Sequence, residues 1–174
     1  MSFIQLKART PSGERRFWTI KEIVQGQPLG HPSHPMFVHF PVAFYIAILV
    51  FDVASRFGDF QEAPVAATWL IIGAFIATAF AVTTGLVDWS GMARGSTRKR
   101  WATRHMIFQL LAFSMFVVNL ILRWPDRQLP QAEVTWIVLD VVGVSSMMIG
   151  QYLGGILVYR FGMRVSTGQD AGSS

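Results

Sequence analysis

Four stretches of this chain are long and apolar enough to cross a bilayer, and they limit what it can fold into more than any other feature. A spanning helix needs roughly 20 mainly apolar residues. The stretches cover about residues 36–54, 64–87, 102–122 (most apolar from Met106 onward) and 134–159. Backbone N–H and C=O groups in hydrocarbon must pair within their own segment. The sequence therefore predicts an all-α fold, an integral membrane four-helix bundle. Composition agrees: of 174 residues, 52% are hydrophobic and 14% charged, whereas soluble domains carry about 25% charged residues.

The chain is expected to divide into three parts. Residues 1–30 form a polar, basic N-terminal segment. Residues 31–165 form the four-helix transmembrane domain. Residues 166–174 read as a disordered tail. No signal peptide is expected ahead of the first span. Within the first part, ERRFWTIKEIVQG is a short amphipathic stretch. Phe17, Trp18, Ile20, Ile23 and Val24 suit a position on the membrane surface, with Arg15, Arg16 and Lys21 toward lipid headgroups. A loosely ordered tail fits equally well.

Charge placement predicts orientation. Lys7, Arg9, Arg15, Arg16 and Lys21 precede the first span. Arg94, Arg98, Lys99, Arg100 and Arg104 lie between the second and third, and Arg160 and Arg164 follow the fourth. That makes twelve basic residues on one side, against three (Arg56, Arg123 and Arg127) on the other. The positive-inside rule then places both termini in the cytoplasm, with the protein multi-pass in a bacterial inner membrane. The net charge of +5 is explained this way, so nothing points to nucleic acid as a partner. Lipid is the expected partner, together with other membrane proteins.

With no cysteine in the chain, disulfides, thiolate-held zinc or iron–sulfur clusters, thioether-attached haem and cysteine nucleophiles are excluded. Metal or proton chemistry falls to four histidines. His31, His34 and His39 lie at the start of the first span and His105 opens the third. Asp88 closes the second span, and Tyr159 and Arg160 close the fourth, all at the same end of the bundle. Polar groups inside a membrane are costly, so their convergence marks a candidate site. Two imidazoles on separate helices can hold the iron of haem b, and His39 with His105 is the expected metal-ligating pair. His34 is the additional cofactor-binding residue, and Arg104, with its basic neighbours, is placed to meet propionates. A structural polar knot of Asp88, Tyr159 and Arg160 is the competing reading. A proton-handling or quinone-headgroup site is a further alternative; a non-haem metal on three histidines and Asp88 suits the residue types, but two histidines five residues apart do not share a helical face well.

Asp52 and Asp140 lie toward the other end, where Asn119 stands at a height suited to Asp140. Gly85, Gly150, Gly154 and Gly155 are helix-packing candidates, Gly150 and Gly154 forming GxxxG. No phosphate-binding glycine loop and no Ser/His/Asp spacing is present, so there is no positive sign of an enzyme.

Three motifs carry a resemblance: GQPLGHPSHPMFVHFPVAF, TGLVDW followed by a basic loop and RWATRH, and YLGGILVYRFGMRV. Together they make residues 26–165 similar to the bacterial domain-of-unknown-function 2231 family of predicted membrane proteins. The resemblance implies a four-helix membrane domain. It also implies a redox association, because related domains occur fused to or beside cytochrome c modules. Its signature positions are His34, His39, Gly85, Asp88, His105, Gly154, Gly155, Tyr159 and Arg160. This chain departs from it at Val42 and Ala43, where many members have Ile-Gly, and at Phe161, where some have a second histidine. Two functions follow as expectations: a b-type haem-binding electron-transfer component, or a non-catalytic accessory subunit of a respiratory or photosynthetic membrane complex.

Overall fold

The computed structural model describes residues 5–10 and 13–165, with the side chains of Gln5, Leu6 and Ala8 excepted. The expected disordered tail, 166–174, lies outside the described residues. Four long helices dominate: α2 (Ser33–Phe57), α3 (Ala63–Ser90), α4 (Thr97–Arg123) and α5 (Val134–Tyr159). They contain 25 to 28 residues each. At about 1.5 Å per residue each is long enough for a hydrocarbon core of about 30 Å. All four are apolar enough to cross a membrane, and the domain is an all-α membrane bundle.

Local chemistry sets the helix ends. Pro35 and Pro64 occupy first turns, where no intrahelical N–H partner is lost. The Ser96 side chain caps α4 by accepting the Lys99 amide at 3.2 Å. Pro125 follows the end of α4 by two residues. After α5, Gly162 takes a left-handed conformation (φ 59°) and Arg164 another (φ 61°), turning the chain back over the bundle.

Consecutive helices form two hairpins, α2 with α3 and α4 with α5, which join chiefly through α2 against α5. One end of the bundle carries the entry to α2, the α3–α4 loop and the exit from α5; it is called the terminal end below. The other carries the α2–α3 and α4–α5 loops and is called the loop end. The central core contains Tyr45, Ile48, Ala67, Ile71, Ala74, Ala112, Phe116 and Met147. Tyr45 stacks on Phe116 with ring centres 4.1 Å apart, and its hydroxyl meets Thr78 Oγ1 at 3.0 Å. The buried alanines let helix backbones approach closely, and large apolar side chains such as Phe40, Ile76, Phe80, Leu110 and Ile121 point outward. In lipid that outward face is satisfied, and small residues belong at the helix contacts.

The N-terminal segment is a hairpin leading into a short helix. Residues Gln5–Arg9 (β1) and Arg15–Thr19 (β2) form an antiparallel hairpin, followed by one short helix, α1 (Ile20–Val24). Alternation explains the strand: Trp18 turns inward at 3% exposure while Phe17 is exposed. Thr19 and Glu22 then close a capping box that starts α1. The backbone and hydroxyl bonds from Thr19 hold the Glu22 carboxyl below its ordinary value.

Candidate functional site

At the terminal end, His34 comes from the first turn of α2 and His105 from the third turn of α4. Their rings meet edge-on across the seam between the two hairpins, 6.4 Å apart between centres and with planes at 89°. Each is fixed by a backbone carbonyl on its own hairpin. His34 Nδ1 donates to Ala81 O at 2.9 Å, with Thr84 Oγ1 at 3.2 Å, and His105 Nδ1 donates to Gly150 O at 2.7 Å. A carbonyl oxygen can only accept, so each Nδ1 carries the proton and each Nε2 keeps its lone pair. Among the described residues no hydrogen bond reaches either Nε2.

Both rings lie in notches cut by glycine. A Cβ at Gly85 would stand 2.9 Å from His34 Cε1, and one at Gly154 would stand 3.2 Å from His105 Cε1 and Nδ1. Gly150 makes room in the same way for Gln109, at 2.7 Å, one turn beyond His105. The Gln109 amide nitrogen is buried without a partner. Gly155 has open space around it, with only its own Tyr159 ring at 3.9 Å.

The pair brought together is His34 with His105, not His39 with His105. His39 lies on the exposed face of α2. Residues 34 and 39 are five apart, about 140° around a helix axis, so when one faces the seam the other faces out. Three histidines and Asp88 do not gather either; among the described residues no group of three potential metal ligands occurs. Arg104 is exposed on α4, its guanidinium 5.2 Å from the Trp101 ring, and lines a shallow groove with Gly95, Lys99, Arg100 and Thr103.

The expected knot of Asp88 with Tyr159 and Arg160 is also reorganised. Asp88 accepts from Arg164 at 2.5 Å and from Gln25 Nε2 at 3.1 Å. It thereby ties α3 to the segments before α2 and after α5. Arg160 and Tyr159 are exposed, Tyr159 at 91%. The left-handed turn after α5 is the cause, because it carries Arg164 back over Asp88 while Arg160 points away.

The loop end holds a second polar cluster, which the positions of its members along the sequence only partly suggest. Asp52 of α2, Asn119 and Arg123 of α4, and Asp140 of α5 are each 0% exposed. Arg123 Nη2 bonds to Asp52 Oδ2, and the guanidinium lies 4.6 Å from the Trp136 ring centre. Asn119 donates to Asp140 Oδ1 at 2.6 Å and to Trp136 O at 3.1 Å. The clue in the sequence is an acidic and a basic residue in the last turns of two helices ending at one side, each needing a partner there.

No curated protein and no solved structure matches the chain. One family does, over residues 30–167, under the description "predicted membrane protein (DUF2231)". That span contains both hairpins, both seam histidines and the glycines beside them, and the chain belongs to this family of predicted membrane proteins.

Proposed function

We propose that this integral membrane protein is a b-type haem-binding electron-transfer component, with His34 and His105 as the two residues that would hold the iron. The observation that carries the reading is the imidazole pair across the seam, each ring pinned through Nδ1 with its Nε2 lone pair free. Two ring nitrogens at about 2.0–2.1 Å from one metal keep ring centres roughly 6 Å apart, and these stand 6.4 Å apart. A carbonyl on the far nitrogen is what orients a ligating histidine and raises its basicity. Gly85 and Gly154 clear space beside the rings, where any side chain would crowd them. Two imidazoles with free Nε2 lone pairs are a donor set suited to haem iron.

When bound, the group supplies a reversible one-electron couple. The chain's own residues do the rest. The carbonyls of Ala81 and Gly150 fix the ring orientations, each within its own hairpin. The apolar bundle below excludes water. Lys99, Arg100 and Arg104 supply positive charge at the terminal end for anionic groups. The basic excess at that end supports a cytoplasmic placement in a bacterial inner membrane.

The test is an absorption spectrum of the chain purified in mild detergent from a haem-replete host, with a reductive titration. A Soret band that responds to reductant is expected. A colourless, metal-free protein rejects the reading.

One observation favours the second reading, an accessory subunit of a larger membrane assembly. Tyr152 is 72% exposed on the outer face of α5, about two turns in from its end, where lipid offers its hydroxyl no partner. A neighbouring subunit would satisfy it. Co-purification with a complex, lost in Tyr152→Phe, supports this second reading.

A further inference from the structure

The loop-end cluster contains two carboxyl groups and one guanidinium, all fully buried. With both carboxyls ionised it would keep one uncompensated negative charge inside the bundle, away from water, which is strongly unfavourable. The hydrogen bonds show how the imbalance is resolved. Asp52 Oδ2 takes Arg123, and Asp140 Oδ1 takes the Asn119 amide. One oxygen on each carboxyl, Asp52 Oδ1 and Asp140 Oδ2, is buried without a donor. Asn119 and Arg123 stand one turn apart on α4, so the two carboxyls they bind belong to one buried cluster. Two acceptors in that position repel unless a proton lies between them.

We propose that Asp52 and Asp140 form a proton-binding site in which a single proton is shared between Asp140 Oδ2 and Asp52 Oδ1. Arg123 is the fixed counter-charge. Asp52 keeps the negative charge because it faces the guanidinium. Asp140, whose other partner is a neutral amide, carries the proton. Arg123 is held in place by the Trp136 ring. The site lies five residues before the end of α2 and six after the start of α5, about a turn and a half from the loop end. The α4–α5 loop is tied to the end of α2: Ala132, itself buried, donates its N–H to Ser55 Oγ at 2.9 Å and accepts from Arg56 at 3.3 Å. Nothing in this site depends on the histidine pair at the opposite end.

Infrared difference spectroscopy of the full chain in detergent at neutral pH tests this. The expected result is a carboxylic-acid C=O band that shifts on slow exchange into D2O. Asp140→Asn removes it. Asp52→Asn removes it too, because Asp140 then becomes the partner of Arg123 and ionises. Asp140→Glu moves the band without abolishing it, which keeps the test available should an asparagine variant not fold. Absence of the band from the wild-type protein, or a band that none of the three substitutions alters, overturns the proposal.

Discussion

Gly85 shows how much a single atom decides. Its missing Cβ is where the His34 ring sits, and that ring is held by Ala81 O and cannot swing away freely. Gly85→Ala is therefore expected to cost about 1–3 kcal/mol, the usual range for overpacking. Gly155, in open space on α5, is the control. There Gly→Ala is expected to be neutral or to stabilise by roughly 0.5–1 kcal/mol through helix propensity. Thermal unfolding in detergent compares the two; equal effects would refute the notch. The same scale explains why His39 rather than His34 is the natural choice from the sequence. Depth along a helix follows from counting residues, whereas rotation about its axis is set by packing against α3 and α5, which the spacing of GHPSHPMFVHF does not encode.

Between helices, the two ion pairs differ because their surroundings differ. Asp52 and Arg123 are fully buried, and removing Arg123 leaves the Asp52 charge stranded. Arg123→Ala is expected to lose about 3–5 kcal/mol. Arg123→Met combined with Asp52→Leu should lose less than the sum of the single changes, the signature of direct coupling. Simple additivity in a thermal-stability cycle would contradict it. Asp88–Arg164 lies near the surface, with 28% of the Arg164 side chain exposed. Arg164→Ala is expected to cost no more than about 1 kcal/mol, and Arg160→Ala still less, since Arg160 points outward. The helices themselves are legible in the sequence because length and apolarity act along the chain. The Asp52–Arg123 pair is less so. Arg123 stands next to Trp-Pro and reads as a loop charge, yet α4 continues through it and turns it into the bundle. The strand at Arg15–Thr19 was hidden for a related reason. Five residues with aromatic neighbours suit either a strand or an amphipathic turn, and pairing with β1 decides between them.

For the whole molecule, the two-hairpin plan places the chain entry, the α3–α4 loop and the exit from α5 at one end. The absence of native cysteine makes single-cysteine labelling unambiguous. With the orientation proposed from the basic residues, Gln61→Cys in the α2–α3 loop is expected to react with an impermeant maleimide in intact cells. Ser90→Cys at the close of α3 should react only after permeabilisation. Labelling of both from the same side would contradict the spanning arrangement of α3.

The most direct test of the central claim, that the seam between the hairpins is a two-histidine site, is the absorption spectrum of four single variants in a haem-replete host. The account predicts that His34→Ala and His105→Ala each abolish or reshape the Soret band, and that His31→Ala and His39→Ala leave it intact. A band lost with His39→Ala and kept with His34→Ala would contradict it.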